Sequence, residues 1–464
     1  MHGGVTPAFI AAAQAQIGQA HVLHTPAAVA PYAADALGIG HPPGLVVRPR
    51  SAIEVSALMR LARTHGVPVV VRGAGTGYTG GAVPTAGGMV LSVERMDQIL
   101  EVDAENLLAV VEPAVITADL QRAVEAVGLF YPPDPASLAM SSLGGNVAEC
   151  AGGPRAFKYG TTKRYVLALE AVLPTGEILH TGSKAVKNVV GYDLTQLLVG
   201  SEGTLAVITR ITLRLIPLPP ARATLTAAFD SVQSAVDAVS ALLRRRVVPS
   251  AIELVDEDSL IAVEQYVGRS LAPPGARATV IVECDGGPKA VEEEADRVQE
   301  AFAECGARGV VRASSDAERD EVWRVRRELS FALRATGLHK INHDVVVPRG
   351  RVPALFDVVT DLRARHRLRI ACFGHAGDGN IHVNIMVGPA DSAERERAAA
   401  AERELFEHVV ALEGSISGEH GIGFAKAPYL SIELSADQIA LMRRVKHAFD
   451  PDGLLNPGKI FPPP

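Results

Sequence analysis

The chain has 464 residues, 48% of them hydrophobic and 21% charged, and a formal net charge of −7. That length exceeds what one hydrophobic core usually serves, so two or three domains are expected, and the composition is that of a folded globular protein. The mild negative charge and the lack of Lys/Arg blocks argue against a nucleic-acid partner, while Cys150, Cys284, Cys305 and Cys372 show no CxxC spacing, which speaks against zinc and iron–sulfur motifs and fits a reducing compartment.

The first 23 residues lack the basic start and long apolar core of a signal peptide, and no apolar run reaches the ~18 residues that span a bilayer. The expectation is a cytoplasmic protein, with room for peripheral attachment to the inner membrane through a partner. Residues 1–40 read as short Ala-rich helices, and 46–51 as a strand ending in a turn. Ser51 then opens a helix carrying Val55, Leu58, Met59 and Ala62 at helical spacing. A buried strand at 68–72 runs directly into GAGTGYTGG, residues 73–81. Positions 75–80 match GxGxxG literally, but another strand (89–93) follows instead of a helix, so a Rossmann NAD site fits poorly. What remains is a glycine loop whose successive N–H groups form an anion nest for a pyrophosphate. Strands are expected at 107–115 and 170–173, with an amphipathic helix at 117–128 between them. The stretch 131–161 reads as a long glycine-rich loop without regular structure, of the kind that lets backbone approach a flat ligand. Residues 199–208 form a second glycine turn entering a strand.

The proline-rich stretch 216–220 is the best domain boundary. Beyond it, strands are expected at 224–229, 252–255, 279–284, 310–312, 340–347, 370–373 and 381–387. Helices alternate with them near 230–246, 288–305, 316–336, 353–366 and 393–412. This is an α+β pattern, an antiparallel sheet covered by helices. The division reads 1–218, 219–412 and a tail of 413–464 containing a helix at 436–449. Within this part, RIACFGHAGDGNIHVNIMV (369–387) places His375 in a glycine-rich turn and puts His382 and Asn384 on one strand face, with Ile381, Val383 and Ile385 on the other. A second turn, 417–423, adds Glu419 and His420. Imidazoles and a carboxylate suit a divalent metal such as Zn, Fe or Mn.

Four motifs, RGAGTGYTGG (72–81), VGSEGT (199–204), GHAGDGNIH (374–382) and SGEHGIG (417–423), in this order and spacing, resemble the FAD-dependent D-2-hydroxyacid dehydrogenases. That family lies within the flavoprotein superfamily of vanillyl-alcohol oxidase and p-cresol methylhydroxylase. It includes D-lactate dehydrogenase, D-2-hydroxyglutarate dehydrogenase and the flavin subunit of glycolate oxidase. The resemblance covers about Pro49 to Phe461. It implies a two-subdomain FAD-binding domain (1–218), an α+β substrate cap with an antiparallel sheet (219–412) and a C-terminal segment that returns to the flavin (413–464).

It also implies residue roles. Gly73, Ala74, Gly75, Thr76, Gly77, Tyr78 and Gly80 would cradle the FAD pyrophosphate. Pro133, Asp134, Ser141, Gly144, Gly145, Asn146, Gly152, Tyr159, Gly160, Glu202, Gly203 and Ile208 would line the rest, and Asn456 would return to the flavin ring. No His lies in 72–88, so FAD is expected to be non-covalent. His375, His382 and Glu419 would hold a divalent metal, with Asn384 and His420 facing the substrate and His420 acting as base. Arg326 and Lys340 would grip the substrate carboxylate beside Ser330. Ser330 stands where D-2-hydroxyglutarate dehydrogenases carry Thr, and Lys340-Ile341-Asn342 replaces their Lys-Tyr-Asp. These departures favour a small acid, D-lactate or glycolate, over D-2-hydroxyglutarate. Expected electron acceptors are a quinone, a cytochrome or an electron-transfer protein. A D-2-hydroxyglutarate dehydrogenase, a non-autonomous flavin subunit of a multi-subunit glycolate oxidase, an O₂-using oxidase, a homodimer and association with an iron–sulfur subunit stay open as alternatives.

Overall fold

The computed structural model describes residues 4–462. The chain forms two compact units: Met1–Gly152, Thr161–Leu218 and Glu419–Pro464 make the first, and Gly153–Gly160 with Pro219–Gly418 the second. The architecture is α+β.

In the first unit, Leu45–Val47, Met89–Ser92 and Val69–Arg72 pair in parallel, and Val22–Leu23 joins antiparallel at the edge. Helix Ala52–His65 connects the outer two parallel strands. Ser51 Oγ accepts the Glu54 N–H at its start, and Gly66 ends it in the left-handed conformation at φ 63°. Its stripe of Val55, Leu58, Met59 and Ala62 packs on Val47, Val69 and Leu91. Each of the larger side chains contributes about 1.5–3 kcal/mol when removed from water. Five antiparallel strands form a second sheet, in the order Ile99–Asp103, Leu108–Val111, Val207–Arg214, Val166–Val172 and Ile178–Gly182. The tail helix Ala436–Phe449 opens with a capping box between Ser435 and Gln438. After it, Leu454 and Asn456 exchange backbone hydrogen bonds with Val69, so the tail extends the parallel sheet.

The stretch 131–161 is more regular than expected, since Leu143–Glu149 and Ala156–Tyr159 are helical. Gly144 and Gly145 suggested a loop, but Gly144 serves close packing: a Cβ there would stand 2.6 Å from that of Pro113.

The second unit is built on seven strands, all antiparallel, in the order Arg308–Arg312, Ala221–Phe229, Ala278–Gly286, Ala251–Asp256, Arg369–His375, Asn380–Val387 and His339–Val346. Every residue of Asn380–Val387 is buried, so its polar face is covered as fully as its apolar one. An additional helix, Glu257–Val267, starts at Asp256, whose side chain accepts the Ser259 N–H. Leu260 and Val263 on this helix pack with Val325, Leu329 and Leu333 of helix Asp316–Ala335. Among the described residues no helix is long and apolar enough to cross a membrane.

Candidate active site

The sheet of the second unit assembles a polar face by register. The hairpin Arg369–His375/Asn380–Val387 sets Phe373 opposite His382 and His375 opposite Asn380, so the two histidines are diagonal neighbours on one face. Their rings meet edge to face with centroids 5.4 Å apart, and each offers a ring nitrogen within 4.8 Å of the other. The flanking strands add a carboxylate on either side: Glu253 stands opposite His375, and Asp344 opposite His382. His375 Nδ1 donates to Glu253 Oε1 at 2.5 Å. The other oxygen, Oε2, accepts Arg326 Nε at 2.6 Å and also meets its Nη2. Burial alone would push the Glu253 carboxyl up, but Arg326 and His375 outweigh it and hold it below the ordinary value. The Arg326 guanidinium also stacks on Phe373, 4.8 Å from the ring centroid. Asp344 accepts Asn380 Nδ2 at 2.6 Å and the Gly418 N–H at 3.0 Å, fixing the residue that precedes Glu419 in the chain.

Further along the same unit, Lys340 Nζ donates to Ser330 Oγ at 2.6 Å. Burial, aided by the charge of Arg334, pushes the Lys340 amine down to about 7. Asn384, expected to face the substrate, shares the buried face of His382. Its Nδ2 donates to the carbonyls of Ala371 (3.1 Å) and His382 (3.2 Å), and its Oδ1 accepts from Asn342 (2.7 Å), so it also ties neighbouring strands together. Tyr159 and Gly160, expected along the cofactor with the first domain, cluster instead with the second unit, where the Tyr159 hydroxyl donates to Asp285 at 2.7 Å. His343 is a core residue, buried against Phe406.

The first unit gathers most of the expected cofactor residues around the glycine loop. Among the described residues, the peptide N–H groups of Gly75, Thr76 and Gly77 meet no protein acceptor, while that of Ala74 is held by Ser142 Oγ at 3.2 Å. A run of open N–H groups is a nest for an anion. Gly75 lies at φ +70°, and a Cβ there would run into the Arg72 guanidinium. Arg72 therefore brings a half-buried cation to the nest, a feature missed by reading it as the end of a strand. Asn456, itself in the left-handed region at φ 46°, donates to the carbonyls of Gly81 (3.0 Å) and Glu202 (2.8 Å). Its Oδ1 is buried without a partner, an acceptor left for a ligand donor. Glu202 accepts the N–H groups of Ile422 and Gly423 (2.8 and 2.6 Å), which ties the 417–423 turn to this loop. His420 stacks on Tyr78 with centroids 5.1 Å apart, and its carbonyl accepts from Thr79 Oγ1. Glu419 lies against Gly152, where a Cβ would approach its Oε2 to 2.7 Å. Ser141 and Asn146 both bond Thr117, the Pro133 carbonyl takes Gln121, and Ile208 is buried opposite Ala171. The open nest, the cation and the orphaned amide oxygen fit a dinucleotide with a pyrophosphate. We expect Gly75→Val to lower bound flavin about ten-fold or more, because left-handed backbone costs a branched residue roughly 1–2 kcal/mol before the clash with Arg72. Flavin absorbance per folded chain checks this.

The FAD binding domain family matches residues 43–182, and the family of the C-terminal domain of FAD linked oxidases matches residues 218–460. A glycolate oxidase subunit GlcD of Bacillus subtilis is 41% identical over 419 residues, 90% of this chain and 89% of its own length. A D-lactate dehydrogenase of Anaerostipes hadrus is 35% identical over 425 residues, covering 90% and 89%. The fold matches a crystal structure of p-cresol methylhydroxylase with substrate bound at a TM-score of 0.80, with 18% identity over 98% of each chain. The two family models and these relatives mark a flavin-dependent oxidoreductase. The chain belongs to the FAD linked oxidases, and it shares its fold with p-cresol methylhydroxylase.

Proposed function

We propose that the chain oxidises a small D-2-hydroxy acid, D-lactate or glycolate, to the 2-oxo acid, with non-covalent FAD and a divalent metal. The observation that carries this reading is one sheet face bearing two adjacent imidazoles beside Arg326, in a chain 41% and 35% identical to a glycolate oxidase subunit and a D-lactate dehydrogenase. When bound, the flavin supplies the hydride acceptor at N5 and the metal a Lewis acid for the substrate hydroxyl. His375, His382 and Glu419 are the metal's donors, a set of two nitrogens and one oxygen suited to Zn, Fe or Mn. His420 accepts the hydroxyl proton on a ring nitrogen, its ring set by Tyr78. Arg326, still held by Glu253, presents its fork to the substrate carboxylate, and Lys340 adds a point charge steadied by Ser330. A small acid is favoured because Ser330, Ile341 and Asn342 depart from the Thr and the Tyr-Asp of the D-2-hydroxyglutarate dehydrogenases.

The deciding experiment is anaerobic flavin bleaching of the isolated chain with a panel of D- and L-2-hydroxy acids. Bleaching by D-lactate or glycolate supports the proposal, and a colourless folded protein would overturn it. The word subunit in the relatives' name favours a second reading, a flavin subunit that is silent without partners. Bound FAD that no acid bleaches would select that reading.

The depressed amine of Lys340 carries a pH signature. A lysine brought down to about 7 by burial is mostly neutral above that pH, so carboxylate binding weakens as pH rises. We expect KM for the acid to climb with pH above about 7 and to lose this rise in Lys340→Met. A wild-type KM flat from pH 6.5 to 9 would remove Lys340 from the carboxylate site.

A further inference from the structure

We propose that Glu253 is a positioning residue that sets the tautomer of His375 for metal binding and couples it to Arg326, an inference that rests on the metal reading above. Glu253 is wholly enclosed, and no solvent competes for its oxygens. Strand pairing places it directly opposite His375, and helix Asp316–Ala335 delivers Arg326 to the same carboxylate. One oxygen, Oε1, takes His375 Nδ1 at 2.5 Å, and the other, Oε2, takes Arg326 Nε at 2.6 Å.

A carboxylate can only accept, so His375 must carry its hydrogen on Nδ1. The lone pair is then on Nε2, the only nitrogen left to ligate a metal. An imidazole with its second nitrogen on a carboxylate is a stronger and better aimed ligand, and losing such a partner typically costs about 10–100-fold in metal affinity. The same carboxylate holds the guanidinium, so the metal donor and the carboxylate grip share one anchor. A displacement of either is felt by the other.

Glu253→Gln separates this role from simple charge neutralisation. The amide has one oxygen and one N–H₂ for two donors. Arg326 is always charged and claims the oxygen, so the N–H₂ faces His375 Nδ1 and forces the hydrogen to Nε2, where it blocks the metal. Metal-stripped, FAD-loaded protein titrated with Zn²⁺ or Mn²⁺ against a chelator should show affinity lowered about 10–100-fold in Glu253→Gln. The double variant Glu253→Gln/Arg326→Met frees the amide to turn its oxygen to His375 and buries no charge, so it should regain most of the lost affinity. It also serves as the folded test should Glu253→Gln alone be unstable. In His375→Ala, adding Glu253→Gln should cost nothing further.

Wild-type affinity in Glu253→Gln with bound FAD, or no recovery in the double variant, would overturn the proposal. Wild-type protein that takes up no stoichiometric Zn²⁺ or Mn²⁺ would instead overturn the metal reading beneath it.

Discussion

His382→Ala is expected to strip the metal and lower kcat by about 10³-fold or more while FAD stays bound. A Lewis acid contributes several kcal/mol to a step in which the hydroxyl loses its proton, and each 1.36 kcal/mol is ten-fold in rate. His382 is the ligand for which the protein has no stand-in on its own strand: the next residue on that face, Asn384, has its amide committed to Ala371, His382 and Asn342. The flavin should survive the change, because the nest, Arg72 and Asn456 all belong to the other unit. His382 is buried against Phe373, so alanine also leaves a cavity costing roughly 2–4 kcal/mol. His382→Asn fills most of that space and separates lost stability from lost metal. Metal content, flavin absorbance and kcat measured on both variants check the prediction, and retained activity without metal would refute the metal's role.

The sheet that carries His382 was legible in the sequence because its strands alternate and its helices are long. All seven strands of the second unit lie where periodicity placed them, give or take a few residues at the ends. Helix Leu143–Glu149 was not legible. Two glycines cost it about 1 kcal/mol each in intrinsic propensity, and the reason for one of them, the close approach of Pro113, is tertiary. Within the site, His375 and His382 announced themselves through the hairpin, whose eight residues 375–382 begin and end on them. Glu253 could not. Its partners lie 122 and 73 residues away, and in AIELVD it reads as the ordinary polar member of an alternating strand. Only the register opposite His375 gives it meaning. Asn384 is the converse case: its place on the histidine face was legible, but its hydrogen bonds to Ala371 and Asn342 on the neighbouring strands were not.

Replacing His420 separates proton transfer from metal binding. His420→Asn should lower kcat by about 10²–10⁴-fold, the range general bases contribute, with KM little changed and with metal and FAD both retained. That pattern differs from His382→Ala, which loses the metal. The expectation follows from how the ring is held. Tyr78 stacks on it, Thr79 Oγ1 fixes its carbonyl, and Glu202 holds the Ile422 and Gly423 N–H groups just after it, so the imidazole is set against the glycine loop by groups that do not depend on the ring's nitrogens. Removing the ring therefore removes a proton acceptor and leaves its frame standing. Added imidazole should then restore part of the rate in His420→Ala, because the space against Tyr78 admits the missing ring. A His420→Asn enzyme within three-fold of wild type would transfer the proton elsewhere and leave His420 as packing for Tyr78.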